Sequence, residues 1–216
     1  MYNHLEEKEG KLDVNSVKLS LGVTSALLHG TAYLLYNLQT RKGESNPRAA
    51  SWGVWALLAV VNAISYKEMT ADWYSALQFF MGSVGCFLTF VYVWSIGRLG
   101  RPQGKEWGDF AIGIIATLLL LVFKASDWAS LLILIGFVIS FRPTFNWVKA
   151  NPSKEKPVPW AIWTVAFAVT IINKCIGVAN PNATELGTIL GFTVPIVLLL
   201  AHGSIAVLSR SSRREA

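Results

Sequence analysis

Apolar runs and polar breaks alternate along the whole chain. To within about two to four residues at each boundary, the apolar runs cover 17–38, 51–66, 73–96, 107–123, 128–148, 160–178 and 184–208. A bilayer core about 30 Å thick needs about 20 helical residues, with a usable range of about 17 to 25. The runs at 51–66 and 107–123 sit at the short end of that range and need flanking residues or a thin stretch of bilayer. The break "KASD" at 124–127 interrupts an otherwise apolar stretch from 110 to 141 and reads as a tight turn between two spans. The pattern predicts an all-α, polytopic membrane protein with seven transmembrane helices.

Composition supports that class. Of 216 residues, 53% are hydrophobic and 15% charged, where soluble domains carry about a quarter charged. The charges report topology. Arg41, Lys42, Arg48, Arg98, Arg101, Lys105, Arg142, Lys149, Lys154, Lys156, Arg210, Arg213 and Arg214 fall on one side of a seven-span arrangement. Only Lys8, Lys11, Lys18, Lys67, Lys124 and Lys174 fall on the other. Cytoplasmic loops are enriched in Lys and Arg, so the N-terminus is expected outside and the C-terminus in the cytoplasm, with the plasma (inner) membrane as the expected location. Because the basic residues are scattered over short loops, the net charge of +6 is not the footprint of a nucleic-acid partner. The first sixteen residues are polar and acidic, unlike a cleavable signal, and are expected to form an extracytoplasmic arm. Cys86 and Cys175 read as small core residues. Asn182 opens an N-x-T sequon on the expected outer side.

A repeat lies beneath the seven runs. "PRAASWGVWALLAVVNAISY" aligns with "PVPWAIWTVAFAVTIINK" at an offset of 108, residue 52 falling on residue 160. Trp52 meets Trp160, Val54 meets Ile162 and Trp55 meets Trp163. At an offset one larger, Tyr36-Asn37 faces Phe145-Asn146, Leu77 faces Leu186 and Gly82 faces Gly191. Two three-helix repeats joined by a connector helix follow, covering 17–97 and 127–208 on either side of a loop and connector at 98–126. A basic cytoplasmic tail occupies 209–216. Four spans separate the start of one copy from the start of the next, so the copies run parallel, related by an axis along the membrane normal.

This 3+1+3 arrangement resembles the SWEET and PQ-loop superfamily. Pro143-Thr144 in the second copy and Leu34-Leu35 in the first stand where that family's namesake dipeptide sits, and "TRKGESNPRAAS" is similar to its basic loop and serine. The resemblance covers roughly residues 17–208. It implies a carrier or facilitator of a small solute, working by alternating access between two three-helix bundles. A non-transporting scaffold, partner subunit or sensor on the same fold is the alternative, and a homo-oligomer stays open.

Polar groups inside lipid are costly unless they face a partner or a cavity. The candidates to line a site are His29 and Tyr33, four apart on one helical face, with Asn62, Thr170, Asn173 and Thr193. A Ser or Thr in such a helix commonly bonds its own i−4 carbonyl, but the amide of Asn62 needs a neighbouring helix or a solute. Gln78 is expected toward the wet outer end. Trp52, Trp55, Trp160 and Trp163 begin helices at the cytoplasmic boundary, either as an aromatic belt at the headgroups or as a gate between bundles. Pro143 and Pro195 fall mid-span and are candidate kink or gate positions. No nucleophile elbow, P-loop, metal-ligand cluster or paired carboxylate occurs, so neither an enzyme nor a metal or cofactor is expected. His29 and His202 are expected to lie in halves of their spans too far apart to meet. The site carries no carboxylate or arginine, which suits a neutral or weakly polar solute.

Overall fold

A computed structural model describes residues 13–47, 49–97, 106–176 and 183–211. The arm up to residue 12, Arg48, the basic stretch 98–105, Asn182 of the sequon and the tail from 212 lie outside the described residues. Among the described residues seven α-helices form: α1 (Val14–Lys42), α2 (Ala49–Thr70), α3 (Trp73–Ser95), α4 (Glu106–Leu121), α5 (Ser126–Ala150), α6 (Pro157–Ile176) and α7 (Glu185–Ser211). A 3₁₀ turn at Pro152–Lys154 precedes α6. Each helix matches one apolar run, and local chemistry sets its ends. Asp13 caps α1 by accepting from the Asn15 N–H at 3.1 Å. At the other end Gly43, at φ 75°, makes the left-handed turn that returns its own N–H to the Thr40 carbonyl. The α2–α3 turn carries Ala71 at φ 48° and Asp72, whose carboxylate accepts from the Ser75 N–H and caps α3. The "KASD" break is a turn, with Lys124 at φ 50°.

Helices α3, α5, α6 and α7 are long and apolar enough to cross a membrane. The surface agrees with a hydrocarbon environment. Leu27 and Leu34 on α1, Phe87 and Leu88 on α3, and Ile196 and Val207 on α7 stand exposed, whereas Ser25, His29, Asn62, Gln78, Thr170 and Asn173 are buried. Water would drive the opposite sorting. This build is compatible with an integral membrane protein.

Within residues 13–97, α3 packs against both α1 and α2, whose backbones stay apart. Within 126–211, α7 takes the same place between α5 and α6. The two sets meet through α1 on α6 and α2 on α5, and α4 rests on α2 and α5. Specific bonds cross these seams: Ser130 Oγ donates to Ser65 Oγ at 3.1 Å, and Tyr66 donates its hydroxyl to the Gly191 carbonyl at 2.8 Å. The start of α1 lies beside the end of α6 (Lys18 and Asn173), and the end of α1 lies beside the start of α6 (Tyr36 and Trp160). α2 and α5 are likewise antiparallel, since Trp55 meets Ser140 while Ser65 meets Ser130.

Candidate functional site

The helical repeat brings Trp52, Trp55, Ala59 and Asn62, spaced three, four and three residues apart, onto one face of α2. Trp160, Trp163, Phe167 and Thr170 do the same on α6. Those faces, with α1 and α5, line a cavity of about 50 Å³, room for roughly three to five waters at about 10–15 Å³ each. Five pairs of lining residues stand 108 apart in sequence: His29 and Phe137, Tyr33 and Phe141, Trp52 and Trp160, Trp55 and Trp163, Ala59 and Phe167. Phe79, Gly82 and Cys86 of α3, with Leu198 and His202 of α7, complete the wall.

The four tryptophans are at most 5% exposed, so the aromatic-belt reading is corrected. A belt residue has headgroups beside its N–H; here the rings pack edge-on or tilted against one another, within and across the helices. Trp52 lies 5.2 Å from Trp55, Trp160 lies 5.1 Å from Trp163, and Trp55 lies 4.7 Å from Phe141. Such ring pairs contribute about 0.5–1.5 kcal/mol each beyond area burial. Their indole N–H groups divide unequally. Trp55 donates to Ser140 Oγ at 2.7 Å, Trp160 to Glu155 Oε1 at 2.9 Å, and Trp52 bonds Tyr36. Trp163 Nε1 is buried with no partner among the described residues, and so is Asn62 Oδ1. An unmet buried polar group costs about 1–3 kcal/mol. Both atoms belong to residues of the cavity wall, a buried donor and a buried acceptor without partners.

Both histidines reach this cavity, which overturns the expectation that they stay apart. α1 and α7 begin at the same end of the bundle, with His29 midway along α1 and His202 about two-thirds along α7. His29 and His202 flank Phe167 at ring distances of 5.3 and 5.2 Å. Their hydrogen bonds fix opposite tautomers. Thr170 donates its hydroxyl to Gln78 Oε1, and Gln78 Nε2 donates to His29 Nδ1 at 2.9 Å, leaving the His29 proton on Nε2. His202 donates Nδ1–H to the Leu198 carbonyl at 2.7 Å, leaving its Nε2 as an acceptor. Gln78, expected wet, is fully buried because this relay consumes both ends of its amide.

The other expected residues are distributed as follows. Tyr33 lines the cavity, with its hydroxyl 3.0 Å from Cys86 Sγ. Thr170 acts on the cavity only through Gln78. Thr193 bonds its own turn at the Ile189 carbonyl and stands apart from the cavity. Pro143 and Pro195 lie inside α5 and α7, and neither lines the cavity. Asn173 sits at the far end, donating Nδ2–H to the Lys18 carbonyl at 3.1 Å.

At each end of the bundle a buried carboxylate sits in a helix connection. At one end Lys18 Nζ lies 3.0 Å from Asp72 Oδ2. Burial alone would raise the Asp72 pKa, but the Ser75 N–H and hydroxyl and the Lys18 ammonium outweigh it and hold the carboxyl below its ordinary range. At the other end Glu155, 2% exposed, accepts from Trp160 and from the Asn46 backbone N–H at 3.2 Å. Burial pushes its pKa up to about 7 against those donors. Sequence reasoning missed Glu155, which sits in the charged string "NPSKEKP". In comparisons with protein families, curated proteins and solved structures, nothing matches this chain.

Proposed function

We propose that the chain is a seven-span carrier or facilitator of the SWEET/PQ-loop type for a small neutral or weakly polar solute, working by alternating access between two parallel three-helix bundles. The observation that carries this is the pairing of Asn62 Oδ1 and Trp163 Nε1, an unmet acceptor and an unmet donor, in one buried aromatic cavity between the two halves. The common helix order, α1–α3–α2 and α5–α7–α6, and the five same-position pairs support the repeat. In this reading the N-terminus is outside, the Glu155 end faces the cytoplasm, and the cavity widens when one end opens, since about 50 Å³ is smaller than a sugar-sized molecule.

A non-transporting sensor or scaffold on the same fold is the second reading. The small cavity and the interhelical bonds that occupy Gln78, Ser65 and Tyr66 favour it. Ligand-induced thermal shifts of the purified protein against sugars, amino acids, vitamins and nucleosides, followed by uptake of the hits into proteoliposomes, separate the two. A carrier binds and transports a hit. Trp163→Phe, which deletes the N–H and trims the indole to a phenyl ring, then weakens binding at least about tenfold for a hydrogen bond of about 1.4 kcal/mol, and Asn62→Leu does likewise without lowering ligand-free stability. Hits that bind without uptake support the sensor. Binding unchanged by both substitutions removes this site.

A further inference from the structure

Glu155 is a buried carboxylate in a loop, and its partners come from both halves of the molecule. Trp160, on its own side, forms part of the cavity wall. The Asn46 N–H belongs to the connection after α1, in the other half. Ser45 adds a further hydrogen bond to the carboxyl and, like the Trp160 and Asn46 N–H donors, favours the ionised form, which burial outweighs.

The groups facing this carboxyl are mostly uncharged. α1 presents Tyr36, the α1–α2 connection presents Ser45 and Asn46, and α6 presents Trp160. The nearby charges Lys156 and Glu44 pair with each other at 4.0 Å. Lys154 is in the 3₁₀ turn on which α7 packs, and Arg210 is in the last turn of α7. No described cation makes an ion pair with Glu155; Arg48 lies outside the described residues.

We propose that Glu155 is a proton-binding site that gates the cavity: with the proton bound, its carboxyl ties the α1–α2 connection to α6 and holds this end closed, and loss of the proton releases it. The proton passes between Glu155 and water on the same side, so no net proton transfer across the membrane is implied. The direction follows from burial, which disfavours the ionised form in the closed arrangement and raises the Glu155 pKa to about 7. An opened, hydrated carboxylate has the ordinary value of about 4.3. Raising pH through neutrality therefore shifts the population toward opening. The gate deepens the carrier reading, but a sensor built on the same cavity would use it equally.

The test uses the full chain in detergent with Cys175→Ser, which leaves Cys86 of the cavity wall as the reporter thiol. Its labelling by a small water-soluble methanethiosulfonate is timed across pH, with and without Glu155→Gln. The ratio of the two rates cancels the titration of the thiol itself. The expected ratio is near one at pH 5.5 and several-fold in favour of Glu155 at pH 8. Trp160→Phe removes a donor that steadies the ionised form, and moves the midpoint to higher pH. A ratio that stays flat with pH overturns the gate. If Glu155→Gln fails to fold, an unmoved midpoint in Trp160→Phe overturns it instead. Neither result depends on solute binding, which the Asn62 and Trp163 substitutions test separately.

Discussion

The two ends of the bundle use the same device, a buried carboxylate in a helix connection, with opposite electrostatics. Asp72 has a cation at 3.0 Å and its acidity is enhanced. Glu155 has neutral donors and no described ion pair, and its acidity is reduced to about 7. A charge-paired lock stays ionised across the physiological range and holds at every pH a cell meets. A lock made of neutral donors changes state near neutrality. The Asp72 pair is therefore fixed across that range, whereas the proposed latch at Glu155 depends on pH.

Removing the cation should break the comparison most strongly. Lys18→Met strands Asp72 in a buried position, at an expected cost of about 3–5 kcal/mol, the usual range for breaking a buried pair. Asp72 with its depressed pKa contributes stability that is full above its ordinary value and is lost as pH falls through the folded value. The deficit of Lys18→Met should therefore be largest at neutral pH and shrink below about pH 4, which denaturation across pH reads directly. A deficit independent of pH would mean that the pair is not what holds this end.

Glu155 should show the opposite sign. A carboxyl whose folded pKa is raised contributes stability that is full below its ordinary value and is lost as pH rises toward about 7. Glu155→Gln keeps the neutral form throughout. It should match the parent near pH 5 and exceed it at pH 8 by on the order of 2–3 kcal/mol. Melting curves at the two pH values decide it, and equal stability at pH 8 would place the carboxylate in water.

These ends also mark how far the sequence could be read. Seven helices follow from the apolar runs alone, because each run is closed by a local signal such as Asp13, Gly43 or the left-handed turn at Lys124. The cavity was half legible: Asn62, His29 and Tyr33 stand out as polar groups in apolar runs. The tryptophans are ambiguous in sequence, since a ring at a helix start suits a membrane interface and a core equally. The three-four-three spacing that sets Trp52, Trp55 and Ala59 on the face of Asn62 was the available signal. Gln78 and Glu155 could not be placed. Their partners lie 49 and 109 residues away, and a carboxylate among lysines and prolines looks solvated until a remote backbone N–H is found beside it.

The smallest expected effect compares packing at the same two ends. At Gly22, near the Asp72 end, an added Cβ would sit 2.4 Å from the Tyr74 carbonyl oxygen, a backbone atom of α3 that cannot rotate away. Gly22→Ala should cost about 1–3 kcal/mol through overpacking. At Gly203, on the α6–α7 seam toward the Glu155 end, the nearest atom to an added Cβ is Thr164 Cγ2 at 3.4 Å, an ordinary van der Waals contact. Glycine inside a helix is less favourable than alanine by about 0.5–1 kcal/mol, so Gly203→Ala should be neutral or slightly stabilising. If α7 has to slide past α6 when the Glu155 end opens, the added methyl should also slow Cys86 labelling at pH 8 while leaving it unchanged at pH 5.5. Unchanged labelling at both pH values would confine the opening to the loops around Glu155 and leave α7 out of the motion.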